Sequence, residues 1–579
     1  MRKSKGLAGL AVLTATVALA ACAGEGTDDP GGAPSWDACV EDPNGCNGGE
    51  PTQGGEITWA FEQEQANWNN NTSAGNSFVL GQIMDKILVD TGQFLPDGTW
   101  VWDLDLLQEE PQLVSEDPQS WTYKIRPEAK WNDGTDITVD DFIFLWRHNS
   151  GDPEHCTACN PPSTAGFDAI ESIEGTDNGK TVTVTLRPGE KFAEWQFLFT
   201  NIYPAHVAEA QGFDLDTPEG MTQASEYFAE TQPTYSGGPY QVAEADLREQ
   251  IILEPNPSWY GDGPYLDRVV FRIITEQDAL VTAMNSGEID GSSPQPNPDM
   301  VSQIGAMPGV LSQVGPGFQW EHIDLNLENQ WLADPALRKA IFTAIDVNNI
   351  NDRTFASFFP DVSQKTNYLF REGDSYFEDH LSGTGFGSGN VTAALDILTA
   401  AGYVLDGDQL MSPDGEAVGP LRFVFTEGNQ LRETTAQLVQ QNLAEIGLQV
   451  TIESTADLTG TLTGGDFDLI VFAWVGSPAF QGAGWQFWHS ESDSNFGHYS
   501  NSEVDRLVTE ALNQIDLADV ADLLNQAQAI MAADAYSLPL ADKPVYAFVR
   551  DDYVNVRPNF TNSGVPYNLH EWGQVAAVE

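Results

Sequence analysis

Basic residues are scarce in this sequence, and the shortage limits the partners that it can bind. Its 579 residues include 25 Lys+Arg against 86 Asp+Glu, a formal net charge of −61 at pH 7. A field of this sign repels phosphate backbones and anionic lipid headgroups, so nucleic acids and electrostatic membrane binding are disfavoured. Because the acidity spreads along the whole chain, it favours a solvated surface on an exported protein; attraction of a cationic ligand is the alternative.

Long apolar runs are absent after the first 22 residues. No later stretch reaches the length of about eighteen apolar residues that a membrane-spanning helix needs. Disorder does not follow from the charge, because hydrophobic residues make up 41% of the chain and aromatic residues 10%. That composition supports a large core, and the length predicts more than one lobe.

The sequence also lacks the short motifs of common catalytic and nucleotide-binding chemistry. It contains no GxGxxG, P-loop, HExxH or GxSxG pattern, and carboxylate pairs are too frequent here to indicate a glycosidase. The eight histidines are scattered; His489 and His498 share one predicted loop, where a satisfied or exposed side chain is the default. We therefore predict no cofactor, no metal site and no enzymatic activity.

The N-terminus carries a targeting signal. Arg2 and Lys3 precede an apolar run over 7–21, which ends in Leu19-Ala20-Ala21-Cys22. A charged start, a short apolar run and small residues are the parts of an export signal. The last four residues resemble the lipobox of bacterial lipoproteins, which implies a diacylglycerol on Cys22; an ordinary secretory signal is the alternative. We expect an extracytoplasmic protein that is anchored to the outer face of the cell membrane as a lipoprotein.

Cysteine is rare as well, with five residues in the chain. If Cys22 carries lipid, four remain, an even number in an oxidising compartment. Three pairings are possible, and proximity favours Cys39–Cys46 and Cys156–Cys159. The second pair also fits half a zinc site or a redox CxxC, but no partner pair lies at the required spacing.

The pattern along the chain predicts a spacer followed by an α/β body. Residues 22–52 are rich in Gly, Pro and Asp, which is typical of a flexible spacer. Alternation predicts strands at 54–61, 121–126, 181–186, 250–254, 268–274, 421–426, 448–453 and 468–474. Helical periodicity predicts helices at 334–345, 391–401, 432–446, 502–515 and 520–533. A boundary at 317–326 separates the strand-rich first part from an alternating α/β layer.

Large aromatic rings concentrate just beyond the strand predicted at 468–474. The segment 472–480 contains Phe472, Trp474 and Phe480, and Trp485 follows shortly after. Ring faces beside small residues and free backbone groups make a good wall for an apolar or peptidic ligand. Burial of these rings in a core is the alternative.

Five short blocks, in order, resemble the family 5 extracellular solute-binding proteins, the oligopeptide, dipeptide and nickel receptors of ABC importers. The resemblance covers the chain from about Gly54 to the C-terminus. The blocks are Trp131-Asn132-Asp133-Gly134 with Asp140-Asp141-Phe142, Gly237-Gly238-Pro239-Tyr240 with Asn256-Pro257, Gly287-Glu288-Ile289-Asp290, Leu337-Arg338-Lys339-Ala340-Ile341, and the helix from Arg432 with Gly447-Leu448-Gln449-Val450.

The resemblance implies a two-lobed α/β fold of the periplasmic-binding-protein type (type II, in the large family 5 variant with an extra subdomain in the first lobe). Ligand then lies in a cleft between the lobes and is enclosed when a hinge closes. The predicted organisation is signal peptide 1–21, spacer 22–52, first lobe 53–318, second lobe 319–548 and a C-terminal return to the first lobe over 549–579.

One departure from the family pattern concerns the ligand. Familiar peptide receptors of the family place an aspartate just after the tryptophan of the strand corresponding to 468–474, where it binds the peptide's ammonium group. Here Trp474 is followed by Val475-Gly476-Ser477-Pro478, which contains no acid. A buried ammonium needs a carboxylate partner, so a free-amine dipeptide is disfavoured. A blocked or longer peptide, or another amphipathic solute, remains.

Eight residues are our candidates for ligand contact. The second lobe supplies Trp474, Gly476, Ser477 and Trp485; Trp320 lies near the hinge, and Phe61 with Glu62 follows the first strand. Arg432 is a candidate partner for a ligand carboxylate, with an exposed helix arginine as the alternative. On this basis, Trp474→Ala should weaken binding and leave unfolding without ligand nearly unchanged.

The sequence thus predicts a monomeric, lipid-anchored receptor that delivers oligopeptides or peptide-like solutes to an ABC permease. A metal-chelate receptor, suggested by His489 and His498, is an alternative within the same class. A secreted hydrolase and a surface adhesin are alternatives from other classes. A hydrolase would need a converged set of catalytic groups, and an adhesin would bind no small molecule.

Overall fold

Our computed structural model describes residues 36–575 of the chain. Their strands form one ten-stranded mixed sheet, one four-stranded sheet and three two-stranded sheets. The predicted signal peptide, Cys22 and positions 22–35 of the predicted spacer lie outside the described residues. The strands are β1 Glu56–Phe61, β2 Gly92–Phe94, β3 Trp100–Trp102, β4 Gln112–Glu116, β5 Gln119–Lys124, β6 Ile170–Thr176, β7 Thr181–Leu186, β8 Tyr240–Asp246, β9 Gln250–Pro255, β10 Arg268–Ile273, β11 Gly291–Ser292, β12 Val310–Leu325, β13 Val404–Asp406, β14 Gln409–Met411, β15 Leu421–Thr426, β16 Val450–Thr455, β17 Leu469–Val475, β18 Ser537–Arg550, β19 Tyr553–Val554 and β20 Gly573–Gln574.

Residues 36–575 also form fourteen α-helices. They are α1 Phe78–Met84, α2 Val139–Asn149, α3 Ala205–Ala210, α4 Pro218–Glu230, α5 Gln277–Ser286, α6 Pro298–Gly305, α7 Pro335–Ala344, α8 Val347–Thr354, α9 Val391–Ala400, α10 Gln430–Ala444, α11 Leu458–Thr463, α12 Ala483–Trp488, α13 Ser502–Leu512 and α14 Leu517–Asp534. Short 3-10 segments lie at Asp37–Val40, Asp177–Gly179, Trp195–Phe197 and Val565–Glu571. Many helices begin at a side-chain cap; Asp334 starts α7 and Asn429 starts α10 in this way.

The strand order of the large sheet is β16-β15-β17-β12-β18-β11-β1-β10-β9-β8. Parallel pairs occur at both ends, β15 with β16 and β17 in one half and β1 with β10 and β11 in the other. A second, antiparallel sheet has the order β4-β5-β7-β6. In β7 the sequence TVTVTL alternates between half-buried threonines and buried Val182, Val184 and Leu186, so one face of this small sheet packs inward.

Two large hydrophobic cores divide the described residues into two lobes, as the fold class predicts. The first core takes its residues from 36–271 and again from 547–572, and includes Trp59, Trp131 and Trp572. The second core takes its residues from 320–540, with Ala193 added from the earlier part of the chain. We use first lobe and second lobe for the parts built around these cores. The lobe limits at 318/319 and 548/549 remain predictions.

The two longest strands, β12 and β18, connect the lobes. They pair antiparallel over 310–316 with 544–550, and again over 320–324 with 537–542. The ladder is irregular between Pro316 and Trp320, so residues 317–319 lie where one half of the sheet passes into the other. Gly317 fits there because an added Cβ would lie 3.0 Å from the Lys543 carbonyl oxygen and 2.9 Å from Val545.

Residues 36–52 are folded, which corrects the prediction of a flexible spacer as far as position 52. Trp36 is buried and its Nε1–H donates to the Val556 carbonyl at 2.9 Å. Asn47 donates to the same carbonyl at 2.9 Å, and Thr52 pairs with Gln574. The composition is polar and glycine-rich, but a single tryptophan with specific hydrogen bonds orders the segment against the C-terminal residues.

Both disulfides join neighbouring cysteines, Cys39 with Cys46 and Cys156 with Cys159. These are the pairings that proximity favours. The first closes the loop that follows Trp36, and the second lies beside α4 in the first lobe, where Cys159 contacts the Met221 carbonyl. None of the helices within residues 36–575 combines the length and the apolarity needed to cross a bilayer.

Candidate ligand-binding cleft

Two adjoining cavities lie where β12 and β18 pass from one lobe to the other. The larger has a volume of about 630 Å³ and the smaller about 290 Å³. Phe318, Val475 and Gly476 line both, so the two cavities are parts of one cleft. We call the larger one the polar cavity and the smaller one the apolar cavity. Both receive residues from the first and the second lobe.

Amide side chains dominate the polar residues of the polar cavity. Each amide offers a donor and an acceptor, as a peptide group does. These amides come from the first lobe, from β12, from the cap of α10 and from the C-terminal segment, so they surround the cavity. They are Gln63, Asn76, Gln82, Gln277, Gln295, Gln319, Asn429, Asn559 and Asn562.

Arg432 lines the polar cavity, but its guanidinium is already paired. Its Nε and Nη2 donate to the Glu321 carboxylate at 2.5 and 3.3 Å, and its Nη1 donates to Thr426 Oγ1 at 2.7 Å. Both charged side chains are buried. Burial alone would raise the pKa of Glu321, but Arg432 and Lys543 hold it at about 2. The prediction that Arg432 pairs with a ligand carboxylate is therefore not supported, because an internal carboxylate occupies that position.

Glu62 and Lys543 are the other charged residues that line the polar cavity, and Gln295 links them. The Gln295 N–H donates to Glu62 Oε2 at 2.6 Å, and Lys543 Nζ donates to Gln295 Oε1 at 3.1 Å. Gln277 adds a hydrogen bond to Glu62 Oε1 at 3.2 Å. Burial raises the pKa of Glu62, and these hydrogen bonds oppose the rise. The polar cavity therefore presents a ligand with one acidic and one basic side chain, which are connected through Gln295.

The apolar cavity is lined mainly by rings and aliphatic side chains. Its aromatic residues are Phe192, Phe197, Phe318, Trp320, Phe370, Phe480 and Phe487. The guanidinium of Arg371 lies 3.7 Å from the centroid of the Phe318 ring, which fixes that ring at the junction of the two cavities. An apolar side chain of a ligand gains free energy from burial in such a cavity.

A cluster of hydrogen bonds joins the lobes beside the apolar cavity. The N–H groups of Phe480 and Gln481 donate to the Glu194 carboxylate at 2.6 and 3.0 Å. In return, the N–H groups of Ala193 and Glu194 donate to Gln481 Oε1 at 2.9 and 3.1 Å. Burial raises the pKa of Glu194 to about 7. We call these four residues the inter-lobe cluster, because they join the segment just before Trp195 of the first core to the loop after β17.

The structure brings six of the eight predicted contact residues to the cleft. Phe61, Glu62 and Arg432 line the polar cavity, Gly476 lines both cavities, and Trp320 and Ser477 line the apolar one. Gly476 fits because its N–H donates to the Phe318 carbonyl at 3.1 Å, and an added Cβ would lie 2.2 Å from that oxygen. That these six residues contact a bound ligand remains a prediction.

Trp474 and Trp485 lie outside both cavities. Along β17 the side chains alternate, so Ala473 and Val475 face the polar cavity and Trp474 faces away. The Trp474 ring stacks on Phe487 at 4.2 Å and on Phe496 at 5.5 Å between centroids. Trp485 stacks on His489 at 5.1 Å. For these two rings the structure favours packing against a core over contact with a ligand.

The two histidines that suggested a metal chelate lie apart from the cleft. His489 stacks on Trp485, and the His498 Nε2 lies 3.9 Å from the Glu328 carboxylate. Neither lines the polar or the apolar cavity. Within residues 36–575 no group of three or more His, Cys, Asp or Glu side chains is arranged to hold a metal ion.

Several cleft residues were missed from the sequence, above all Phe318, Gln295 and Lys543. Phe318 lies in the irregular part of β12, and Gln295 lies between two prolines in the loop after β11. A lysine among the mostly apolar residues of β18 is the one signal that could have been used, because a buried strand rarely holds a cation without a partner.

A two-lobed fold with a cleft between the lobes defines a solute-binding receptor of the kind that serves ABC importers. Residues 105–496 match the family model described as bacterial extracellular solute-binding proteins, family 5 Middle. The match covers more than half of the chain, and the chain therefore belongs to that family.

Relatives with known names or structures cover most of this chain. The periplasmic EDTA-binding protein EppA is 32% identical, with a TM-score of 0.87 over 92% of this chain and 99% of that one. The oligopeptide-binding protein OppA of Mycobacterium tuberculosis is 27% identical over 515 residues, which is 87% of this chain and 82% of the relative. AppA of Bacillus subtilis in complex with a nonapeptide has a TM-score of 0.75 at 19% identity, over 91% of this chain and all (100%) of that one, which is a likeness of fold.

Proposed function

We propose that this chain is a lipid-anchored receptor that captures oligopeptides or peptide-like solutes outside the cell membrane and delivers them to an ABC permease. It acts as a monomer and leaves its ligand chemically unchanged. The observation that carries the proposal is the composition of the cleft, in which an amide-lined cavity adjoins a ring-lined one. A peptide has the same two components, a backbone of amide groups and apolar side chains.

Hydrogen-bond capacity supports a peptide as the ligand. A peptide backbone alternates donors and acceptors, and Asn and Gln side chains satisfy either without a change of charge. Receptors that bind extended peptides obtain affinity from backbone groups and tolerance from roomy side-chain cavities. The similarity to OppA, an oligopeptide-binding protein, and to AppA in complex with a nonapeptide agrees with this ligand class.

A metal chelate is the second candidate, favoured by the relatives. EppA is described as an EDTA-binding protein, and NikA of Brucella suis, at 17% identity and a TM-score of 0.72, is described in complex with Fe(III)-EDTA. The charge of the polar cavity counts against a polyanion. Arg432 is neutralised by Glu321, and Glu62 adds a negative charge beside Lys543. A multiply charged anion would meet one available cation.

Native mass spectrometry of the purified protein tests the ligand class. We expect copurified masses that fragment into amino-acid sequences and that remain intact after incubation. Masses of a metal–EDTA type would establish the second candidate instead. Cleavage of added peptides would overturn the proposal, and so would a protein that binds neither peptides nor chelates and keeps one shape in X-ray scattering with each of them.

The lipid anchor has its own test. In a bacterial host grown with radiolabelled palmitate, we expect label on the full chain and none on the Cys22→Ser variant, which should be released to the medium. Cys39→Ser serves as the matched control, because Cys39 lies in a disulfide and not in the export signal. Absence of label on the native chain would remove the lipid from the proposal, and label on Cys22→Ser would place the lipid on another residue; both outcomes leave the proposed binding function untouched.

A further inference from the structure

Lys543 is a buried cation at the wall of the polar cavity. It lies in β18, beside the irregular part of β12, and is 6% exposed. Its side chain lines the polar cavity together with Glu62 and Gln295. A lysine in this position is expensive to bury, so its ammonium group must find acceptors nearby.

The ammonium group of Lys543 has more donors than the protein uses. It carries three N–H donors and gives one to Gln295 Oε1 at 3.1 Å. The nearest carboxylate oxygen, Glu321 Oε2, is 3.9 Å away, which is too long for a hydrogen bond. Within residues 36–575 the structure shows no third partner for this ammonium.

Glu321 does not take up the spare donors as it is placed, because its Oε2 lies 3.9 Å from the Lys543 nitrogen and both of its oxygens are positioned by Arg432. Burial lowers the pKa of Lys543 to about 8, while Glu321 and Glu62 oppose the fall and Arg432 adds to it. At neutral pH the group therefore remains largely charged. A buried, charged ammonium with unused donors beside an open cavity calls for an oxygen acceptor from a ligand.

We propose that the Lys543 ammonium anchors a carboxylate of the bound solute in the polar cavity. This inference rests on the proposed function, because it takes the cleft to be the ligand site. A carboxylate supplies two acceptor oxygens and the missing negative charge. The C-terminus of a peptide and an arm of a metal chelate both present this group, and the experiment below distinguishes them.

The test compares three probes with the native protein. Two are pools of random N-acetylated pentapeptides without Asp and Glu, one with free C-terminal carboxylates and one with C-terminal amides; the third is Fe(III)-EDTA. Occupancy in native mass spectrometry and the shift of the unfolding temperature are measured. We expect the carboxylate pool to bind about tenfold or more tightly than the amide pool, as for a buried charge-assisted contact.

Variants assign the preference to the residue. Lys543→Met should lose the tenfold preference for the carboxylate pool, and Lys543→Arg should keep part of it. Lys365→Met is the matched control, because Lys365 is also buried but is satisfied by Asp542 Oδ1 at 2.7 Å and the Phe370 carbonyl at 2.9 Å, and lines neither cavity. That variant should keep the preference.

The outcomes separate the two proposals. If the native protein binds none of the three probes, the proposed function fails. If it binds the two peptide pools equally and does not lose Fe(III)-EDTA binding in Lys543→Met, the cleft is a receptor site but the Lys543 anchor is wrong. If it binds Fe(III)-EDTA alone and Lys543→Met abolishes that binding, the anchor holds and the carboxylate belongs to a chelate. Should Lys543→Met fail to fold, the comparison of pools on the native protein and Lys543→Arg still decides.

Discussion

Arg432 and Glu321 together decide which charges the cleft offers to a ligand. Both side chains are buried and joined by two hydrogen bonds. Removal of one partner of such a pair leaves the other as an unpaired buried charge, which costs several kcal/mol. The pair therefore serves the second lobe as a fixed structural element, and the charge left for recognition is that of Glu62 and Lys543.

Trp474→Ala should mainly lower the stability of the protein, with little effect on ligand binding. The ring is stacked between Phe487 and Phe496 and packs against the second core. We expect the free energy of unfolding without ligand to fall by about 2–4 kcal/mol, because the truncation leaves a cavity among packed rings. Urea unfolding of the ligand-free protein measures this change.

Phe318→Ala is the contrasting variant at the residue scale. Its ring lines both cavities, so its removal should weaken ligand binding with a smaller loss of stability. If Trp474→Ala instead unfolds like the native protein and loses ligand, the original prediction of a cleft contact would be right after all.

Single residues of the site could be predicted only where a strand or a motif fixed their surroundings. Phe61 ends a strand that the alternating pattern identifies, Glu62 follows it, and both line the polar cavity. Trp474 lies in a correctly predicted strand, but the pattern did not tell which face of that strand meets the cleft. Lys543 and Arg432 depend on partners more than a hundred residues away, which no local pattern contains.

Elements with clear periodicity were predicted nearly to their ends. The helix predicted at 391–401 is α9, Val391–Ala400, and the strand predicted at 421–426 is β15, Leu421–Thr426. The long strands β12 and β18 were missed, because they contain Gly315, Pro316 and Pro544, residues that normally end a strand. Long-range pairing between the two strands overrides the local signal.

The loop after β17 should control how firmly the lobes hold together. Gln481 is fully buried and accepts from the N–H groups of Ala193 and Glu194, while its amide donates to carbonyls of the segment 511–514. Gln481→Ala leaves these groups without partners in a buried position. We expect the free energy of unfolding to fall by about 2–4 kcal/mol and ligand affinity to fall with it. Denaturant unfolding and calorimetric titration measure the two effects.

Gln526→Ala is the matched control for that element. Gln526 lies exposed on α14, where its amide donates to Asp522 at 2.9 Å. Its loss should change stability by less than about 0.5 kcal/mol. Equal effects of the two glutamine variants would show that the inter-lobe cluster does not hold the lobes together.

At the scale of the whole molecule, stability should fall as pH rises from 6.5 to 8.5. Burial and the neighbouring Asp85 raise the pKa of Asp90 to about 8, and burial raises that of Glu194 to about 7. The folded state keeps these protons where the unfolded state has released them, so stability declines until each folded pKa is passed. The buried His148 and His570, with pKa values lowered to about 4, destabilise the folded state only below about pH 6.5.

The Asp90→Asn variant isolates this effect. Its amide oxygen can still accept from the Asn201 N–H, which donates to Asp90 at 2.6 Å in the native protein. Between pH 6.5 and 8.5, we expect the free energy of unfolding of the variant to fall by roughly 1–2 kcal/mol less than that of the native protein. Thermal unfolding at several pH values, with the acidic surface screened by constant salt, measures the difference. An unchanged decline would mean that Asp90 titrates normally.

The ordered family blocks were enough to predict the two-lobed fold from the sequence. The sequence did not show where the folded body begins. Composition alone cannot distinguish a polar linker from a polar segment that is fixed by one disulfide and one tryptophan. Trp36 and the Cys39–Cys46 bridge have this effect, since they attach residues 36–52 to the C-terminal strand pair. The number of residues left to a linker is therefore smaller than predicted.

The packing of Trp36 against the folded body limits the length of the linker between the membrane and the receptor. If Cys22 carries lipid as proposed, the chain between positions 22 and 36 reaches at most about 50 Å, against roughly 100 Å for a linker that ran to position 52. A shorter linker confines the body to a thinner layer above the bilayer and raises its effective concentration at the transporter. The folding of residues 36–52 therefore reduces the distance that the receptor can reach and increases how often it meets the transporter.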